Sequence, residues 1–325
     1  MMAVLLGTAS VPSATVGAAT LGHGDLVAFA LQSSGQPAEL TIGNAANGRV
    51  RSQQQMPPSQ NGNEDSIAIV ASPATKLVYA IEENASGIVF AMDPRTGAAT
   101  NFFTLPNGDF TGAIALSQDG MTLYVGGESD DYVVNAATGA LEESAAGLGG
   151  FTLGYHLLVA SPTRNELYEI EGSGYDVFDA KTFAFKYDVS LPEFPMAGAV
   201  SSDGKLLYLA DLTGYLDVVS VAGKKLVKRI ALNSEADDIA FDPASQLIYL
   251  ATGNGVTAIS ASTYATVASV GNIAEPYNLA VDPTSHACFA ASGTGLWRID
   301  PTTFKAKNVH VTSGSITVQG VGPVY

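Results

Sequence analysis

Residues 112–141 read GAIALSQDGMTLYVGGESDDYVVNAATGAL. Apolar and small residues alternate from Ala113 to Leu116, Gln118-Asp119-Gly120 supplies a polar turn, and Leu123-Tyr124-Val125 resumes the same period of two. A third run, Tyr132-Val133-Val134, ends in Ala137-Thr138-Gly139. A period of two marks a strand half-buried on a sheet, and Asp-Gly and Thr-Gly supply turns between strands. The stretch therefore predicts three antiparallel strands, joined by tight turns.

The same unit recurs along the chain. Aligned on the second strand, the copies are Leu26-Val27-Ala28, Leu77-Val78-Tyr79, Leu123-Tyr124, Leu167-Tyr168, Leu207-Tyr208, Ile248-Tyr249 and Cys288-Phe289. From Tyr79 onward the anchors 79, 124, 168, 208, 249 and 289 lie 40–45 residues apart, the period of a four-stranded propeller blade. Seven copies predict an all-β, seven-bladed β-propeller of antiparallel four-stranded blades filling residues 1–325 as one domain. The blades are expected near 14–58, 64–106, 110–150, 154–193, 195–234, 236–274 and 276–312. Segments 1–13 and 313–325 remain to close the ring, either through Ala3-Val4-Leu5-Leu6 or through Ile316 to Val321, because a closed ring has no exposed edge.

Ser72-Pro73, Ser117-Gln118-Asp119-Gly120, Ser201-Ser202-Asp203-Gly204, Asp242-Pro243 and Asp282-Pro283 stand before the anchors. Such groups resemble calcium or catalytic motifs in isolation. Their recurrence at one place in each unit is better explained by turn chemistry, in which Asp and Ser cap their own backbone and Gly permits positive φ. Leu207-Tyr208-Leu209-Ala210, Leu123-Tyr124-Val125 and the Ser-x-Asp-Gly turns resemble the YVTN and lactonase-like seven-bladed propellers over nearly the whole chain. That resemblance implies the fold strongly and function weakly, since propellers host unrelated activities.

Charged residues make up 14% of the chain and the net charge is −16. Nucleic acid is excluded as an expected partner, because phosphate binding needs a basic surface. Membrane insertion is not expected either, since no apolar run reaches the ~18 residues of a membrane span. The single cysteine, Cys288, sits in a strand-like run without a neighbouring base, which reads as a buried structural thiol. Met1 to Leu6, followed by Ser- and Ala-rich sequence, reads equally as the remains of an export signal or as a first strand, since the first basic residue is Arg49.

In a propeller, the loops entering each blade and the loops between its second and third strands share one face. Sorting charges by loop gives that face Glu64, Asp65, Glu82, Glu83, Asp109, Glu128, Asp130, Asp131, Glu171, Glu193, Asp211, Glu235, Asp237, Asp238 and Glu275. Lys76, Arg95, Arg164, Lys181, Lys205, Lys224 and Lys228 fall in the opposite turns or the outer strands. A solvated acidic rim is the ordinary account. Carboxylates crowded round a narrow channel also favour a cation among them and disfavour anionic substrates.

Five residues before each first-turn Ser or Asp, the innermost strands begin at Ile67, Gly112, His156, Met196, Asp237 and Tyr277. His156, Asp237 and Tyr277 are types that carry acid–base work, and are the candidate catalytic residues. The ordinary alternatives are a hydrogen-bonded channel histidine and a channel-lining ring. Asp65, Asp109, Met196 and Asp238 are the candidate substrate contacts. Asp237-Asp238-Ile239-Ala240-Phe241-Asp242 is similar to the channel-facing Asp-Gly-Leu-Ala-x-Asp segment of gluconolactonase-like propellers, whose first Asp binds metal. The resemblance implies that role for Asp237; Asn278 and Glu64 are the candidate further ligands of a divalent cation, calcium, magnesium or zinc. Tyr277 stands where the family's partner segment has Asn, and Asn278 comes one place later, which turns a strand side chain to the other face. No nucleotide cofactor is expected, because no Gly-x-Gly-x-x-Gly opens a helix.

Two function classes follow. One is a small-molecule enzyme, a lactonase-like hydrolase or a lyase or isomerase, acting on a neutral or cationic substrate in an acidic channel. The other is a non-catalytic binding or scaffold propeller, exported or not, which uses the acidic face for a protein partner.

Overall fold

The computed structural model describes residues 26–33, 36–58, 67–82, 87–106, 111–127, 129–146, 157–232, 234–311 and 316–323. Blade 1 is built from β1 (Leu26–Ser33), β2 (Glu39–Asn44) and β3 (Val50–Gln55), and blade 2 from β4 (Ile67–Ala71), β5 (Val78–Glu82), β6 (Ile88–Met92) and β7 (Ala99–Thr104). Blade 3 holds β8 (Thr111–Leu116), β9 (Thr122–Gly127), β10 (Asp130–Asn135) and β11 (Leu141–Ala146). Blade 4 holds β12 (Leu157–Ala160), β13 (Glu166–Glu171), β14 (Gly174–Asp179) and β15 (Phe185–Ser190). Blade 5 has β16 (Pro195–Val200), β17 (Leu206–Asp211), β18 (Tyr215–Ser220) and β19 (Lys225–Ala231). Blade 6 has β20 (Ala236–Asp242), β21 (Leu247–Thr252), β22 (Gly255–Ser260) and β23 (Thr266–Val270). Blade 7 has β24 (Pro276–Val281), β25 (Cys288–Ser292), β26 (Gly295–Ile299) and β27 (Ala306–Val311).

Each blade is a four-stranded antiparallel sheet, so the chain is a seven-bladed β-propeller. The last strand, β28 (Ile316–Pro323), returns to pair antiparallel with β1 as the fourth strand of blade 1. Closure thus joins the two ends of the described chain in one sheet. The alternative closing strand, Ala3 to Leu6, lies outside the described residues.

Burial falls from the inside of each blade outward. β4 and β16 are buried along their whole length, whereas β3, β7 and β19 are mostly exposed. Because strand side chains alternate, one face of each blade packs on the blade before it and the other on the blade after it. In β1, Val27, Phe29 and Leu31 join the core shared with blade 7, while Ala28 and Ala30 join the core shared with blade 2. Seven such apolar clusters lie between neighbouring blades and complete the ring.

The repeat anchors all fall on the second strands. Tyr79, Tyr124, Tyr168, Tyr208, Tyr249 and Phe289 are at most 3% exposed, and each ring packs toward the following blade. A buried phenol needs an acceptor. The Tyr79 hydroxyl donates to the Ala136 carbonyl of blade 3, and Tyr124 donates to Ala180 of blade 4 at 2.9 Å. Burial pushes the Tyr79 phenol up to about 12. Tyr79→Phe is expected to cost about 1–2 kcal/mol in urea unfolding, because it keeps the ring and orphans a buried carbonyl; an unchanged midpoint would show that the hydroxyl contributes nothing between blades.

The turns bear out the reading of their Asp and Ser residues. Ser117 donates to Asp119 at 2.7 Å and Ser201 to Asp203 at 2.8 Å, while Asp242, Asp282 and Asp300 accept the backbone N–H groups two and three residues on. Gly139 has φ +73°, and a Cβ there would lie 2.4 Å from the Phe102 carbonyl of the preceding blade, so both conformation and space require glycine. Cys288 is fully buried and unbridged, and burial pushes its thiol up, as expected of a structural cysteine.

Candidate ligand site at the channel mouth

In four of the inner strands the ladder carries one extra residue at the end where the chain enters the blade. These residues are Gly112 in β8, Met196 in β16, Asp237 in β20 and Tyr277 in β24. Each opposes no residue of its own on the neighbouring strand, which is a β-bulge, a device that re-aims side chains at barrel and sheet rims. The sequence column of inner-strand starts therefore coincides with a column of bulges. Ile67, in the same column, pairs regularly with Glu82, and His156 lies outside the described residues, as do Glu64, Asp65 and Asp109.

The bulges settle how blades 6 and 7 correspond. Asp237 matches Tyr277, and the following residues, Asp238 and Asn278, match each other in register. Asp237 is half-buried; Asp238 is fully buried and Asn278 is 3% exposed. The Asp238 carboxylate accepts Asn278 Nδ2 at 3.2 Å and the Leu279 N–H at 2.7 Å with Oδ2, and its own strand's Ile239 N–H at 2.7 Å with Oδ1. Asp238, read from the sequence as a substrate contact, is thus enclosed by protein and ties blade 6 to blade 7. Asn278 donates its amide N–H to Asp238 from inside the protein and sits one register place after Tyr277, so it does not share the bulge position of Asp237. Among the described residues no three His, Cys, Asp or Glu side chains are grouped to share a metal ion.

Met196 is 6% exposed, and Tyr277 packs its half-buried ring on the core between blades 7 and 1. Burial pushes the Tyr277 phenol well above its ordinary range. Asp237 is left as the open functional group of the bulge column. Burial first, and then the charges of Glu235 and Glu275, push its carboxyl up to about 6. Both glutamates are exposed and stand just before their inner strands, so blades 6 and 7 together present three carboxyl groups at the mouth.

The acidic face is thinner than loop sorting suggests. Glu82, Asp131, Asp211 and Asp238 are at most 2% exposed and belong to the interior. Glu82 accepts Gln32 Nε2 across blades 1 and 2 at 3.2 Å, and Asp211 caps the Thr213 and Tyr215 N–H groups. One cation also reaches this face. Arg229, rooted on the outer strand β19, meets Asp211 at 2.6 Å and Asp217 at 3.5 Å and lies over the Tyr215 ring at 4.1 Å. Burial raises the Asp217 carboxyl, partly offset by Arg229.

Blade 4 carries a row that loop sorting overlooks. Glu169, Asp176 and Asp188 stand directly opposite one another across β13, β14 and β15. Burial, then Glu169 and Asp188, push the Asp176 carboxyl up to about 6. The signal was in the repeat itself, because the residue after the anchor tyrosine is Ala80, Val125, Leu209 or Leu250 in other blades and Glu169 here.

No protein-family model and no curated protein matches the chain. Solved structures do. A chain of the mitotic checkpoint complex is similar over 78% of this chain and 79% of its own length, with a TM-score of 0.65 and 15% identity. At that identity the likeness supports the propeller fold alone.

Proposed function

We propose that this propeller is a binding protein whose channel mouth takes a small cationic ligand, with Asp237 as the principal contact and Glu235 and Glu275 as its electrostatic surround. The observation that carries this reading is a half-buried carboxyl at the bulge of β20 with exposed Glu235 and Glu275 just before β20 and β24, and burial and those like charges push it up to about 6. Such a group gains most when a positive charge arrives, because the cation relieves both the repulsion and the cost of desolvation. Arg229 does not compete, since Asp211 and Asp217 already hold it.

The pH dependence has a definite sign. Asp237 is neutral below about 6 and charged above it, so cation affinity rises with pH through that region. Titrating spermidine, choline and arginine methyl ester by calorimetry should give about tenfold tighter binding at pH 7.5 than at pH 5 for any that bind, the factor expected for ionising one contact across that range. Asp237→Asn should remove the pH dependence. Equal affinity at both pH values, or an undiminished dependence in the Asn variant, would overturn the assignment.

The lactone-hydrolysing reading keeps one supporting observation, since a carboxyl near 6 is suited to general-base work. Asp237 would take a proton from water as the oxygen adds to the lactone carbonyl, and the ring oxygen would leave and be protonated. A sugar-lactone panel showing turnover in the wild type and none in Asp237→Asn would favour this second reading over simple binding.

A further inference from the structure

The face opposite the channel mouth carries a second candidate site. Between blades 3 and 4, the first turns of both blades and the last turn of blade 4 enclose a cleft of about 570 Å³, within the 300–1,000 Å³ typical of small-molecule sites. Tyr124 forms its floor and ties the blades together through its hydroxyl on the Ala180 carbonyl.

The walls of this cleft have opposite charge. Asp119 and Glu142 line it from blade 3, whereas Arg164 and Lys181 line it from blade 4. Glu166, the remaining acid, is committed to Arg164, which grips it through Nε at 2.6 Å and Nη2 at 3.2 Å. That pair is self-neutralised, and among the described residues the Nη1 edge of the guanidinium makes no hydrogen bond. Asp119 has one oxygen engaged by Ser117 and the Met121 N–H, and Glu142 has one on Asn135. Their second oxygens accept no hydrogen bond among the described residues. The Lys181 ammonium forms no ion pair or hydrogen bond among the described residues, although its charge helps hold the Asp119 carboxyl below the usual range, after the Ser117 and Met121 hydrogen bonds.

Opposed walls whose charged groups form no ion pair across the gap among the described residues fit a ligand carrying both signs. We propose that the cleft between blades 3 and 4 binds a small zwitterion of the α-amino-acid type, its carboxylate on Lys181 and the outer edge of Arg164 and its ammonium on Glu142 and Asp119. A phosphate or polycarboxylate would meet the carboxylates of blade 3, and a polyamine would meet the cations of blade 4, so ligands of one sign are disfavoured. The hydroxyl and amide groups along the same walls suit a polar side chain on the ligand. This site is independent of Asp237.

The test is calorimetric or ligand-observed NMR titration of the twenty free amino acids against the full chain. The best binder is then repeated as its N-acetyl derivative and as its methyl ester, and against Lys181→Met and Glu142→Gln. At least one amino acid should bind, and each chemical block and each variant should weaken it about tenfold or more, the scale of losing a charge-assisted hydrogen bond. Both side chains are exposed turn or outer-strand positions, so unchanged thermal melts should accompany the loss. Asp237→Asn should leave the affinity intact. The proposal is overturned if none of the twenty binds at millimolar concentration, if the N-acetyl derivative or the ester binds as well as the parent, or if Asp237→Asn abolishes binding while Lys181→Met does not.

Discussion

A chain ended at Ser315 is expected to lose its cooperative melt and to aggregate. Such a truncation removes β28, and with it the ladder that runs from Val27–Pro323 to Ser33–Ile316. The consequence falls on β1, whose Val27, Ala28, Phe29 and Ala30 are fully buried. Stripped of its partner, β1 becomes a long apolar edge with unpaired N–H and C=O groups, the arrangement that most readily recruits another chain. The loss also spreads sideways, since β28 packs against β24 and β4, the inner strands of both neighbouring blades. Ring closure is therefore worth an amount comparable with the whole stability of a domain, on the order of 5–15 kcal/mol. Size-exclusion chromatography and circular dichroism melts give the readout. A synthetic peptide of residues 316–325 added in trans should restore a monomeric, cooperatively melting species by supplying the missing strand. A truncated chain that stays monomeric and melts like the full protein would show that seven interblade cores hold the ring without its clasp.

The fold was legible because its signals repeat. Tyr79, Tyr124, Tyr168, Tyr208 and Tyr249 recur at blade spacing, and each has the same physical task, filling the core against the next blade. The turns were legible for the same reason. The site was less so, because the decisive feature is a backbone bulge, which leaves no residue signature of its own: Pro195-Met196, Ala236-Asp237 and Pro276-Tyr277 have little in common beyond position. Without the bulge, Asp237 and Asn278 look like partners displaced by one residue; with it, Asn278 belongs to Asp238 and Asp237 stands apart. A carboxylate's place in a loop says nothing of its burial, and Asp131 and Asp211, which the sequence puts on the acidic face, lie inside the protein. The cleft beside Lys181 was invisible because it needs two blades side by side, and no single repeat contains both of its walls.

Asp238→Ala is expected to cost about 2–4 kcal/mol, although the Asp238 side chain is fully buried and presents no surface to a ligand. The change leaves the Leu279 N–H and the Asn278 amide without their acceptor inside the protein, and a buried orphan donor costs about 1–3 kcal/mol. Part of this is returned, because a buried carboxylate is itself expensive. Asn278→Ala should be milder, and the double variant should cost less than the two single changes together by about 0.5–3 kcal/mol, the range for residues in one network. Acid should widen the gap between wild type and Asp238→Ala. Burial holds the Asp238 carboxyl well above its ordinary value, so the stability it contributes is complete below the unfolded value near 4 and is lost as the pH rises through the folded one. Urea titrations at pH 4 and pH 8 separate the terms. A gap that grows toward pH 8 would mean that the N–H groups of Leu279 and Ile239 outweigh burial and that Asp238 works as a paired anion; a gap largest at pH 4 would identify it as a carboxyl kept for its shape and its acceptors, holding blade 6 to blade 7 beside the bulge at Asp237.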